Sequence, residues 1–325
     1  MVSPLAPVGI APVARATAAS ISPATLPRRF AVYLRERFPP AQYAFAVAIF
    51  YFAAVLSAAR LAGAPPVTPA VLAGLATVFL VFLHLRLMDE LKDADLDERL
   101  YPTRPVPRGL ITLGELRAVG GLVILLEVAL NIGMPASVLL PFLVALAFTF
   151  LMYAEFFAGR RLRANFLVYT LMHMPVLPLL AAYAYATVLA GGPPGLSAPF
   201  GLFLVASYAG GLTLEVARKI HAPRAEPAEA YSYSKHLGTR GVSDLLIGLV
   251  AAGTLSTVAL GALLGFGVVF ITGVALVAAG TLLALLRFRL APTERLAAAL
   301  GTSVLPASVL GPYALLIVAA IVGGR

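Results

Sequence analysis

Cysteine and tryptophan are absent from the 325 residues, and histidine occurs only four times. A disulfide scaffold or a thiolate nucleophile cannot be built from such a chain. Charge is scarce as well: Asp, Glu, Lys and Arg together make up 12% of the residues, against roughly 25% in an average soluble domain. With 60% hydrophobic residues beside so little charge, an ordinary soluble globule, a disordered chain and a coiled coil are all excluded. The net charge of +9 does not indicate nucleic acid, because no basic run is interleaved with aromatics. Membrane proteins collect such an excess on their cytoplasmic side.

What is present is a series of long apolar runs. A transmembrane helix needs roughly 20 such residues, and nine runs qualify, at 43–62, 68–88, 116–134, 136–157, 166–190, 198–217, 243–263, 266–286 and 302–322. The expected fold is therefore an all-α bundle of nine transmembrane helices with a central cavity. Residues 1–40 read as a Pro- and Ala-rich tail with a short interfacial helix over 27–38. Residues 41–325 read as one transmembrane domain without repeats. Basic residues sort with this count. Twenty-two of the 24 fall in the tail or in the even-numbered connections, leaving Arg60 and Arg325 on the other side. The sorting predicts a multi-pass cell-membrane protein with a cytoplasmic N-terminus and an outside C-terminus.

The acids are concentrated. Six of the fifteen lie in ten residues where the second run ends: Asp89, Glu90, Asp93, Asp95, Asp97 and Glu98. On a continuous helix, at about 100° per residue, Asp89, Asp93, Asp97 and Glu90 share one arc of about 100°, with Arg86 on the same face one turn deeper. Like charges so spaced repel. A hard divalent cation compensates them, and Mg²⁺ is typically held by one or two carboxylates together with substrate phosphates. The plainer reading is a solvated helix end whose acids pair with Lys92, Arg99 and Arg104. The next residues, YPTRPVPRG at 101–109, form a Pro- and Gly-fixed turn that would hold Arg104 and Arg108 near the acids. Arginine suits phosphate oxygens, so acids, metal and arginines together suggest a pyrophosphate site.

DExxDxxxD at 89–97 followed by RPxPRG at 104–109 resembles the UbiA superfamily of intramembrane prenyltransferases, whose pattern is NDxxDxxxD followed by a similar RPxP turn. Asp89 replaces the pattern's Asn, Glu90 its first Asp, and Asp93 and Asp97 match. The resemblance implies an enzyme that moves a prenyl group from a polyprenyl diphosphate to a lipophilic, possibly aromatic, acceptor with Mg²⁺-assisted release of pyrophosphate. It implies metal ligation by Asp89, Glu90, Asp93, Asp97 and Glu215, and diphosphate binding by Arg86, Arg104, Arg108, Arg218 and Lys219. Asp93, Arg104 and Lys219 would carry catalysis. The partners implied are the two substrates and the bilayer, with no nucleic acid and no obligate protein partner evident. A UbiA-type terpene cyclase, or a transporter using the acids as a cation site, are the alternatives.

The second polar loop departs from the family. Its motif is a DxxxD-type acidic site, whereas EVARKIHAPRAEPAEAYSYSKHLG at 215–238 offers only Glu215, Glu226 and Glu229. Ser232 stands where the family has Thr. Either Glu215 or a loop glutamate supplies a second metal ligand, or Arg218 and Lys219 replace that metal's charge. The second is preferred, because a fixed cation can do a metal's electrostatic work. Within the spans, Glu127 with Asn131, and the row Asn165, Tyr169 and His173, could line an acceptor cavity or bond between helices. Tyr43, Phe50, Tyr51 and Phe52 could wall an isoprenoid tail or face lipid. His84 projects away from the acidic arc.

Overall fold

The structure is a computed structural model that describes residues 24–189, 197–226 and 232–323. Every regular element in those segments is helical. In chain order the α-helices are α1 (Leu26–Arg37), α2 (Pro40–Ala62), α3 (Pro69–Lys92), α4 (Ala94–Leu100), α5 (Leu113–Asn131), α6 (Ala136–Tyr153), α7 (Gly159–Ala164), α8 (Phe166–His173), α9 (Val176–Val188), α10 (Ala198–Ala217), α11 (Tyr233–Leu263), α12 (Val268–Leu290), α13 (Glu294–Ala299) and α14 (Leu305–Val322).

Local chemistry sets the ends. Thr68 accepts from the Val71 amide and Pro69 opens α3, the N-cap and N1 preferences of a helix start. Thr112 and Glu115 form a reciprocal capping box at the start of α5. Gly63, at φ 60°, closes α2 in the left-handed conformation that glycine tolerates. Ser232, the residue in the Thr position of the second loop, caps α11 by accepting from the Lys235 amide.

Among the described residues, eight helical stretches are long and apolar enough to cross a membrane, counting α8–α9 and α13–α14 as one each. The run expected at 116–134 is α5, which spans 19 residues but carries Glu115, Arg117 and Glu127. It packs along α3 with α1 across a core of Tyr33, Leu83, Leu87, Ile111, Leu116 and Val123. The expected span at 166–190 is interrupted where α8 ends and Pro175 precedes α9. The seventh begins ten residues earlier than expected, at Tyr233, and Gly238 turns its backbone at φ 69°. The interfacial helix is α1, but its Tyr33 is fully buried against the bundle.

Most aromatic residues of α2 face inward. Tyr51 is fully buried and its hydroxyl donates to the Val71 carbonyl at 2.8 Å, with Thr187 Oγ1 at 3.0 Å. Phe50 packs with Phe203 and Tyr313, and Tyr43 stacks on Phe38 at 3.9 Å. These residues join helices to one another, while Phe45, 65% exposed, faces outward.

Candidate functional site at the charged end of the bundle

Helix α3 does not run on through Asp97. It ends at Lys92, and Asp93 (φ −96°, ψ 9°) is the junction to α4. The bend is mild, since the Asp93 amide bonds the Asp89 carbonyl and the Asp97 amide the Asp93 carbonyl, each at 2.9 Å. Negative side chains crowding one arc oppose further straight winding, while Asp95 and Asp97 in the first turn of α4 suit a helix N-terminus.

The four carboxylates of the motif divide into two kinds. Glu90 and Asp97 are buried, their side chains 1% and 7% exposed. Arg37 Nε donates to Glu90 Oε1 at 2.6 Å, and Arg86 pairs with the same oxygen. Arg104 donates to Asp97 Oδ1 at 2.5 Å, and Arg37 lies 3.8 Å from Asp97 Oδ2. Asp89 and Asp93, one turn apart, are open to solvent on one side. Among the described residues, the one ion pair of Asp89 is with Lys92, at 3.9 Å, and Asp93 makes none. The protein surrounding Asp93 pushes its carboxyl above the usual range, and the neighbouring Asp89 and Asp97 charges add to this against Lys92 and Arg86.

The turn at 101–112 is held by salt bridges. Arg104 lies 3.6 Å over the Tyr101 ring. Arg108 is directed to Glu36 of α1, with two bonds of 2.8 Å, and to the Thr103 carbonyl. Arg29 of α1 makes a bidentate pair with Glu115 and also donates to the Leu110 carbonyl at 3.2 Å.

The opposite wall is the end of α10. Glu215 is paired with both Arg218 and Lys219, the latter at 2.7 Å. Both helix ends reach α8, α3 through Lys92 with the Tyr169 hydroxyl and α10 through Lys219 over the Phe166 ring, and the charge of Asp89 acts on Arg218, so the two polar loops do converge. Lys219 is fixed by its carbonyl, which accepts from the Tyr233 amide at 2.9 Å, and its ammonium lies 5.4 Å over Phe166. Glu226 accepts from Ser232 Oγ at 2.7 Å, while Glu229 lies outside the described residues.

Helix α8 supplies a third wall. Tyr169 accepts from Lys92 Nζ at 3.0 Å and stacks on His173 at 4.0 Å. The His173 ring is hydrogen-bonded through Nδ1 to the Tyr169 carbonyl at 2.7 Å, and Phe156 meets it edge-on at 5.3 Å. Asn165 caps α8 through the Val168 amide. Phe156 is the middle of three successive residues, Glu155–Phe157, with φ between 49° and 55°, a left-handed turn that side chains disfavour.

Glu127 lies elsewhere, between α3 and α5. It is fully buried, and its Oε1 is 2.6 Å from His84 Nδ1. Asn131 donates to Thr77 Oγ1 at 2.9 Å and accepts from the Tyr183 hydroxyl at 2.8 Å. Glu127 and Asn131 thus join helices, and the structure does not bring them to the mouth.

Arg37 is the site residue that motif reasoning passed over. Its only signal in the sequence is a basic residue in the last turn before the first apolar run. Lys92, within the acidic motif, was legible only as a partner for the acids.

The donor set can be tested against a divalent cation. Among the described residues, no three His, Asp or Glu side chains gather closely enough to hold a metal unaided. Two open carboxylates at i,i+4 facing a basic wall still fit Mg²⁺, which completes its shell with water and substrate phosphate.

No family model matches the chain, and no curated protein matches its sequence. Solved structures do match its fold. One is from work on digeranylgeranylglyceryl phosphate synthase in membranes, with 16% identity over 90% of this chain and 99% of that one and a TM-score of 0.63. Another is a UbiA homologue from Aeropyrum pernix K1 at 17% identity, covering 88% of this chain and 98% of that one, with a TM-score of 0.63. A UbiA homologue from Archaeoglobus fulgidus, solved with DMAPP and Mg²⁺, is 15% identical over 88% of this chain and 99% of that one, with a TM-score of 0.50. The chain therefore has the fold of the UbiA homologues, as the motif at 89–109 led one to expect.

Proposed function

We propose that the protein is an intramembrane prenyltransferase, moving a prenyl group from a polyprenyl diphosphate to a lipophilic acceptor. The observation that carries this reading is the convergence on α8 of the α3 end, with its open carboxylates Asp89 and Asp93, and the α10 end, with Arg218 and Lys219. That pairing suits a metal-bridged anion, and the shared fold includes a homologue described as bound to DMAPP and Mg²⁺.

Asp89 and Asp93 would hold Mg²⁺, which supplies charge stabilisation to the departing pyrophosphate. Arg104, Arg218 and Lys219 neutralise the same leaving group from fixed positions. The allylic carbon–oxygen bond breaks as the new bond to the acceptor forms, and the acceptor loses a proton. Tyr169 and His173, on the third wall, stand where an acceptor head group would meet the allylic centre. The reaction requires that water be kept from the cationic carbon. Residues 41–325 act as one unit in the cell membrane, with the charged mouth and the N-terminus cytoplasmic and the C-terminus outside.

The test is mass spectrometry of products from membranes given Mg²⁺, a panel of allylic diphosphates and a lipid extract. A prenylated acceptor together with released pyrophosphate is expected. Pyrophosphate release with cyclised hydrocarbon and no acceptor consumed would replace transfer by cyclisation. No metal-dependent release with any diphosphate would refute the enzyme reading.

A further inference from the structure

We propose that the mouth takes a single divalent cation per diphosphate, on Asp89 and Asp93, and that Glu90 and Asp97 are not ligands but anchors for three arginines. The proposal rests on the diphosphate reading above and adds the metal stoichiometry and the division of labour within the acidic motif.

The geometry separates the carboxylates without reference to any ion. Glu90 Oε1 already faces Arg37 Nε at 2.6 Å and Arg86, inside a side chain only 1% exposed. Asp97 holds Arg104 at 2.5 Å with 7% exposure. A cation entering either position would displace guanidinium groups and strand them without partners, and an unpaired buried charge is strongly disfavoured. Asp89, 54% exposed, and Asp93 carry no arginine. Two carboxylates with water and phosphate complete a magnesium shell, so the buried pair is not needed.

On the facing wall, the acid at the end of α10 is already taken by cations: Glu215 is bonded to both Arg218 and Lys219. A second cation would sit against two fixed positive charges. The charge balance agrees. Arg37, Arg86, Lys92 and Arg104 offset Asp89, Glu90, Asp93 and Asp97, while Arg218 and Lys219 exceed Glu215 by one. A diphosphate ester brings about three negative charges, which one divalent ion and that single excess cation neutralise. A second ion would leave the filled site with a double positive charge in a weakly screened cavity.

The experiment uses Mn²⁺ as the metal and the purified full chain, with inorganic pyrophosphate and an unreactive geranylgeranyl thiolodiphosphate as probes. Electron paramagnetic resonance and calorimetry are expected to give one Mn²⁺ per chain, with no spin coupling between ions. Asp93→Asn should weaken Mn²⁺ binding by more than about 100-fold, beyond the effect of an outer-shell partner. Glu90→Gln and Asp97→Asn should keep one ion per chain, with a smaller loss. Two coupled Mn²⁺ ions with either probe would overturn the stoichiometry while leaving the diphosphate reading intact. A folded Glu90→Gln protein that loses Mn²⁺ as fully as Asp93→Asn would overturn the anchor assignment. If neither probe binds with Mn²⁺, the diphosphate reading itself fails, and this inference with it. The ion count on the unsubstituted protein stands even if the anchor variants do not fold.

Discussion

The His84–Glu127 pair gives a direct test of whether an acid buried in the bundle serves the reaction or the fold. Both side chains are fully enclosed, and their polar atoms meet at 2.6 Å between α3 and α5. Interhelical hydrogen bonds in membranes average about 0.6 kcal/mol, because the separated helices find other partners. Here each group has its partner at one atom, while His84 Nε2 and Glu127 Oε2 have none. Removing one side therefore approaches the cost of breaking a buried pair, about 3–5 kcal/mol. Glu127→Leu and His84→Leu should each lose that amount. The double variant, with two apolar side chains in place of the pair, should return to within about 1 kcal/mol of the original. Independent effects would instead add to about 6–10 kcal/mol. Asn131 is little disturbed, since it donates to the Glu127 carbonyl and not to the carboxylate. The assay is equilibrium unfolding in mixed micelles, followed by prenyl transfer by the double variant. Additive losses would refute the pairing argument. A stable double variant without turnover would refute the structural role and return Glu127 to the cavity.

Three further outcomes follow from the same geometry. Asp93→Ala should abolish diphosphate-dependent turnover while the protein still inserts, and chelation should do the same to the unsubstituted protein until Mg²⁺ is restored; unchanged turnover in purified variant would remove Asp93 from the site. Gly74→Ala would place a Cβ 2.1 Å from the Tyr51 hydroxyl and 2.8 Å from Thr187 Cγ2, where Tyr51 is pinned by Val71 and Thr187. It should lose about 1–3 kcal/mol in thermal unfolding, while Gly121→Ala, with open space around it, should not. The Arg108 guanidinium holds the Glu36 carboxyl below its usual value of 4.5. This lowered value means that the clamp is complete above about pH 4.5 and is lost as pH falls through the depressed value. Hydrogen exchange at 101–112 should therefore speed up on acidification beyond its intrinsic trend, and Glu36→Gln should remove that dependence.

The spans were legible because apolar length follows from residue type alone. The acidic stripe and the turn after it were legible as a motif. What escaped the sequence is which acid faces which partner. Angular bookkeeping placed Glu90 beside Asp89 and Asp93, yet a side chain about 100° around the helix meets α1 and its Arg37, an element 53 residues away. The break at Asp93 falls amid crowded like charges, which a hydrophobic period does not record. Glu127 shares a face with Asn131 at i,i+4, which fits cavity lining and interhelical bonding equally, and a buried acid needs a partner. His84 is that partner, from another helix, at the angle that had set it apart from the acids.

Helix α1 explains how a site built on a loop can be stiff enough for charge stabilisation. The turn at 101–112 contains Arg104 but lacks regular structure long enough to fix it. Three pairs from α1 bracket the turn: Glu36 with Arg108, Arg29 with Glu115 and the Leu110 carbonyl, and Arg37 with Glu90 and Asp97. Because Asp97 holds both Arg37 and Arg104, α1 is coupled to Arg104 through one shared carboxylate. Preorganised cations stabilise a leaving group only if they need not reorganise as charge develops. The helix that precedes the first span thus gives Arg104 that preorganisation, with buried acids fixing arginines in place and Asp89 and Asp93 left open.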